Sequence, residues 1–143
     1  MAGFSGFEVV KAIDGVITVD ATLLALLGAG TSAGIVSNPQ ESEPAFPYIM
    51  IGDYAASAWD TKDKHGSEVM ATLHVWSQSG DPEECSNILS RLHILLHDVQ
   101  LTVASNDCLL ILWDGLTDIV RDTTDGLLTY HGIIRFRCVT REQ

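Results

Sequence analysis

The chain has 143 residues, 46% of them hydrophobic, and a formal charge of −11 from 8 basic and 19 acidic side chains. That length predicts a single domain, residues 1–143, burying about 68–70% of the surface its unfolded chain exposes, and the composition is that of a folded chain, not a disordered one. The negative field disfavours nucleic-acid binding, which needs clustered Lys and Arg to displace counterions, but suits a surface that DNA passes without adhering.

In chain order, Ser5-Gly6-Phe7-Glu8 has the Ser-x-x-Glu pattern of a capping box. Phe7, Val10, Ile13 and Ile17 follow at helical spacing, with Gly15 a weak point. Asp20 is placed to cap a second short helix, Ala21–Leu27, that stops at Gly28. With no basic segment ahead of an apolar one, and Leu23–Leu27 far too short to span a bilayer, secretion and membrane insertion are not expected.

Ala29–Ala45 carries Gly, Ser, Asn and Pro without periodicity and reads as a long surface loop. Phe46–Gly52 reads as a short strand with Pro47 at its start, where a missing amide is tolerated. Asp53–Gly66 reads as a second polar loop, holding Trp59 beside Lys62 and Lys64. In Glu68–Ser77, Val69, Ala71, Leu73 and Val75 alternate with Met70, Thr72, His74 and Trp76. Neither face is cleanly polar, so both are expected to be covered.

The next segment carries strong helix signals: Asp81 as cap, Pro82 at the first helical position, then Glu83 and Glu84 at the positive end of the dipole. Cys85, Ile88, Leu89, Leu92, Leu95, Leu96 and Val99 form one stripe for packing on a sheet, and Ile94 points away from it. After a connector at Gln100–Asp107, Leu109–Val120 is an apolar strand in which Gly115 marks a bend or bulge. Arg121–Gly126 ends in Asp125-Gly126, the chemistry of a tight hairpin. The return strand, Leu127–Thr140, presents Leu128, Tyr130, Gly132, Ile134, Phe136 and Cys138 on one face, and His131, Arg135 and Arg137 on the other. The predicted architecture is an α+β two-layer sandwich: an antiparallel sheet of about four strands, a long helix on one face, and short N-terminal helices.

Candidate chemistry is sparse. His93 and His97 lie one helical turn apart, but no Glu, Asp or Cys completes a ligand set. Cys85, Cys108 and Cys138 sit in apolar runs and form no CxxC, which points to reduced thiols, with Cys85 and Cys138 on core faces. Asp53, Asp60 and Asp63 lack EF-hand spacing, and Gly28-Ala29-Gly30 opens no helix after a strand. No catalytic residues, cofactor or metal are assigned. Arg135 and Arg137 are read either as partners for carboxylates, within the chain or on a neighbour, or as ordinary surface arginines.

Four pieces in order carry a resemblance: the helical N-terminus ending at Gly28, FPYIMIGD at Phe46–Asp53, ATLHVWSQSGDPEECSNILSRLHILLHD at Ala71–Asp98, and IVRDTTDGLLTYHGIIRFRCVT at Ile119–Thr140. Together they resemble the tail terminator (tail completion) proteins of long-tailed bacteriophages and gene transfer particles, and Thr31–Ala45 has no counterpart. The resemblance implies a structural virion protein and not an enzyme: a ring, commonly a hexamer, on the head-proximal end of the tail tube. There it would stop tube polymerisation and join the head or neck. Its implied partners are further copies of itself, the tail tube protein and a head–tail connector or neck protein. DNA would be a passing cargo, no membrane is involved, and assembly would take place in the host cytoplasm. Surfaces for such contacts are Trp59, Lys62, Lys64, Met70, Trp76, Ile94, Arg135 and Arg137. The alternatives are another neck or minor tail protein, or a small α+β ligand-binding or enzyme domain.

Overall fold

In the computed structural model, which describes residues 4–124 and 126–143, five strands form one sheet in the order β1-β2-β3-β5-β4. The elements are α1 (Gly6–Ile17), α2 (Ala21–Leu26), a 3-10 turn, β1 (Ile35–Val36), α3 (Pro39–Ser42), β2 (Tyr48–Ala58), β3 (Gly66–Ser77), α4 (Glu83–Leu96), β4 (Asn106–Thr124) and β5 (Leu127–Glu142). β1 is parallel to β2, and every other neighbouring pair is antiparallel. The α+β sandwich is as predicted, with one more strand than the four expected.

Val9, Ile13 and Ile17 of α1 and Ile88, Leu92 and Leu96 of α4 are fully buried on one face of the sheet, against Ile49, Leu73, Val75, Ile134 and Phe136. Burying each such side chain contributes about 1.5–3 kcal/mol. Burial alternates without a break through β3, so the helices cover one face and leave the other half-exposed. The expectation that both faces of β3 are covered therefore fails within the chain.

Other departures follow from local physics. The Ser5 hydroxyl does not cap α1; it lies 2.6 Å from the Thr140 hydroxyl, and the Ser5 N–H donates to Ser67 Oγ at 3.3 Å. These three polar residues are buried together, so they satisfy one another where water cannot. Phe7 is 59% exposed although its spacing placed it in the core. The predicted loop at Asp53–Gly66 is half strand, since β2 runs on to Ala58 because β3 offers it a full ladder of partners. Ala29–Ala45 holds the 3-10 turn, β1 and α3, with Asn38 Oδ1 accepting from the Gln40 and Glu41 amides at the start of α3. α4 begins at Glu83, leaving Pro82 at the cap, while the Asp81 carboxylate accepts the Glu83 N–H at 3.0 Å. Leu95 and Val99 are only partly buried.

Asp20 behaves as predicted: its Oδ2 accepts the Leu23 N–H at 2.8 Å and caps α2. The same carboxylate takes both Nε and Nη2 of Arg91, at 2.9 and 2.8 Å, pinning α2 to α4. That guanidinium holds the Asp20 carboxyl below the ordinary aspartate value.

The β4–β5 ribbon bends where predicted: the register shifts between Trp113 and Thr117, and Gly115 sits at φ +85°, a conformation glycine adopts freely. Thr124 pairs with Leu127 across the predicted turn; Asp125 lies outside the described residues, and Gly126 has φ +78°. Leu128 is 40% exposed, so the core face of β5 begins at Tyr130.

Within that face, Gly132 lets α4 pack tightly on the sheet. A Cβ there would lie 2.6 Å from Cys85 Sγ and 2.8 Å from Leu89 Cδ1. Gly132→Ala is therefore expected to cost about 1–3 kcal/mol, and Cys85→Ala in the same chain to recover part of the loss. Denaturant melts of the two single variants and the double variant measure the coupling; a neutral Gly132→Ala would show that α4 moves away freely.

Candidate interaction surfaces

The uncovered sheet face is built from cross-strand pairs. Met70 lies opposite Ala55 and Arg137, His74 opposite Met50 and Ile133, and Trp76 opposite Tyr48 and His131. Between these apolar groups run two ion pairs: Arg137 Nη2 to Glu68 Oε2 at 2.9 Å and Arg135 Nε to Asp114 Oδ2 at 3.2 Å. Both arginines thus find carboxylates within the chain, and pairs this exposed contribute about 0–1 kcal/mol each.

At one end of this face the rings form a chain. The Asp53 carboxylate lies 2.8 Å from His74 Nε2, His74 Nδ1 lies 2.8 Å from His131 Nε2, and the Trp76 indole stacks on His131 at 3.8 Å and 9°. Because a carboxylate accepts, His74 Nε2–H donates to Asp53, and in the His74–His131 contact one ring donates and the other accepts. Such a chain orients an imidazole in hydrolases. Here it sits on an open face, ending on an aromatic ring where a hydrolase places its nucleophile. Burial first, and the neighbouring His74 second, hold His131 below the ordinary histidine value. Trp76 Nε1 is buried without a hydrogen-bond partner among the described residues. The antiparallel register that places Asp53, His74 and His131 side by side follows from the sheet order.

On the helix side, a groove of about 420 Å³ opens between α4 and the ribbon, lined by Leu89, His93, Ile94, Trp113 and Ile119 among others. Ile94 is 62% exposed at its rim. His97 Nδ1 accepts the Trp113 N–H at 2.9 Å, and His93 stacks on His97 at 4.7 Å, so both are tied to β4 as boundary side chains. Among the described residues no three His, Cys, Asp or Glu side chains converge as metal ligands.

The ribbon also projects. β3 stops pairing at Ser77–Tyr130, whereas β4 and β5 continue to Thr124–Leu127. Leu116, Val120, Leu127 and Leu128 are all at least 40% exposed along it. Sequence reasoning placed Leu128 in the core; the mismatch in strand length was the signal that it lies beyond its neighbour. In the β2–β3 connection, the half-buried Trp59 donates its N–H to the Gly66 carbonyl at 3.0 Å. Lys62 is exposed, Lys64 is half-buried, and neither makes an ion pair among the described residues. The structure therefore gathers Met70, Trp76, Arg135 and Arg137 on one face, with Ile94 on the helix side and Trp59, Lys62 and Lys64 in the β2–β3 connection.

A sheet with one open, half-apolar face and a ribbon carrying exposed leucines leaves apolar surface that the described residues do not cover. The sequence matches the family model described as "Tail completion protein gp17" over residues 11–141, and the chain belongs to that family. It is 31% identical over 108 residues to the protein named "Tail completion protein gp17" of Bacillus phage SPP1, an alignment covering 72% of this chain and 73% of that one. Its fold matches a chain of the structure described as "Virion of native gene transfer agent (GTA) particle" with TM-score 0.78 and 14% identity, covering 98% of this chain and 99% of that chain. The protein is a virion tail protein.

Because His131 is held toward its neutral form, the unfolded chain takes up its proton first as the pH falls, and stability is lost below about pH 6.5. Thermal melts between about pH 7.5 and 5.5 are expected to show a shallower pH slope in His131→Gln than in wild type; an unchanged slope would mean that His131 is not held by its neighbours.

Proposed function

We propose that this chain acts as one domain forming a tail terminator: copies close into a ring, a hexamer, on the head-proximal end of the tail tube. The ring stops tube polymerisation and presents the surface to which the head or neck connector joins. Family membership across residues 11–141 is the observation that carries this reading. The open sheet face supports it as one of the two complementary patches of a head-to-tail interface, which closes into a ring when the rotation between copies closes. On this reading Met70, Trp76, Arg135 and Arg137 form one patch. Ile94 and the loop holding Trp59, Lys62 and Lys64 are contacts for a neighbouring copy, the tube protein or the connector. Ion pairs already satisfied within the chain leave a neighbour few bare charges to desolvate.

The net charge of −11 suits a channel that DNA crosses without adhering. The chain makes no bond in this account; it works by position in the virion, after assembly in the host cytoplasm.

Deleting the gene is expected to give tails of uncontrolled length and unjoined heads by electron microscopy, and labelled particles are expected to carry the chain at the tube's head-proximal end. Tails of normal length, or label elsewhere, would refute the reading. Met70→Asp with Trp76→Asp should leave the isolated chain folded by circular dichroism while abolishing its incorporation into tails. If acidic residues line the channel, replacing several exposed Asp and Glu with Lys should slow DNA delivery from particles that still assemble, and unchanged delivery would remove the channel claim.

A further inference from the structure

The three cysteines occupy different environments. Cys85 is buried under α4, where burial pushes its thiol up to about 11. Cys108 and Cys138 face one another across β4 and β5 with their sulfurs 3.6 Å apart. The pairing register puts Cys108 opposite Thr140 and Cys138 opposite Ile111, with a bulge between Cys108 and Leu110. A bulge re-aims a side chain, and here it brings Cys108 to the sulfur of Cys138. A disulfide of about 2.05 Å needs the two sulfurs to close by only ~1.5 Å.

Access is one-sided. Cys138 is fully buried, whereas Cys108 lines a concavity of about 380 Å³ at the foot of the ribbon, with Thr102, Asn106, Asp107, Arg141 and Gln143. Arg141 is only loosely held there, its Nη2 3.8 Å from Asp107 Oδ2, and its buried Nε has no partner among the described residues. A guanidinium beside a half-open thiol offers a seat for a carboxylate-bearing thiol compound.

We propose that Cys108 and Cys138 are an oxidisable dithiol that reacts with a low-molecular-weight disulfide of the glutathione class, entering beside Arg141, and closes to an intrachain disulfide across the base of the ribbon. The Cys108 thiolate attacks one sulfur of the small disulfide, and the first small thiol leaves, taking the proton Cys108 released. The Cys138 sulfur then attacks the Cys108 sulfur of the mixed disulfide, and the second small thiol leaves with the Cys138 proton. Two protein thiols are oxidised and one small disulfide is reduced to two thiols. The division of labour fits the environments: the hydrogen bond from Cys138 lowers the Cys108 thiol, while that same contact and burial push Cys138 up. Closing the bridge would tie together residues 30 apart in sequence, with the whole projecting ribbon between them.

The test incubates the full chain with oxidised glutathione under native conditions, followed by peptide mapping. The expected product has lost two hydrogens, links the Cys108 and Cys138 peptides, leaves Cys85 free, and melts about 5 °C or more higher until a reductant is added. Cys138→Ser should stop at a single glutathione adduct on Cys108, and Cys108→Ser should carry none. Arg141→Gln should slow the reaction with oxidised glutathione several-fold while leaving that with the uncharged hydroxyethyl disulfide unchanged. Because replacing Cys138 could disturb the sheet, the order of attack is also read in the unaltered chain, where iodoacetamide at neutral pH should label Cys108 first. A linkage involving Cys85, persistent free thiols at Cys108 and Cys138, or first labelling at Cys85 would overturn the proposal.

Discussion

The close packing of α4 on β5 at Gly132 fixes what the rest of the molecule can do. Only a residue without a side chain lets Cys85 and Leu89 reach the strand, and that approach seats the α4 stripe on Ile134 and Phe136. α1 covers the neighbouring part of the same face, and α2 is pinned to α4 through Asp20 and Arg91. All the long helices are thereby committed to one side of the sheet. Among the described residues the other side has no layer of its own, and its character is set by cross-strand pairing.

That open side is not an ordinary solvated face. Trp76 is stacked and its indole N–H is unpartnered among the described residues, Met50, Met70 and Ile133 lie between the strands, and the two arginines are each already engaged by a carboxylate. Apolar groups framed by internally satisfied charges lose little on desolvation and gain when covered. The Asp53–His74–His131 chain rigidifies one end of the face, since each ring is fixed by a hydrogen bond on both sides or by a stacked neighbour. The chain belongs to a tail completion family, and under the proposed function this surface is the part that a larger assembly would cover.

Much of this was legible in the residues. Alternation in Val69–Val75 and Ile134–Cys138, the helical stripe from Cys85 to Leu96 apart from Leu95, and the Asp20 cap each report a local period or a local hydrogen bond, and each appears as read. What was missed depends on distant partners. Residues 53–58 look like a polar loop because their side chains are small or charged, yet β3 supplies the ladder that makes them strand. Ser5 looks like a cap because nothing local announces Thr140 and Ser67 beside it. Phe7 and Leu128 fit the apolar period but lie past the edge of what covers it. Most of the proposed contact residues could be named individually, but their grouping, and the link from Asp53 to His131, required the strand order.

Hydroxyl-radical footprinting of Met70 and Trp76 tests the central claim most directly, by comparing the dilute isolated chain with the chain in assembled tails. If the open face of the sheet exists to be covered by its neighbours, oxidation of both side chains falls several-fold on assembly. Equal oxidation in the two states would contradict it, because the face would then still meet water in the finished particle.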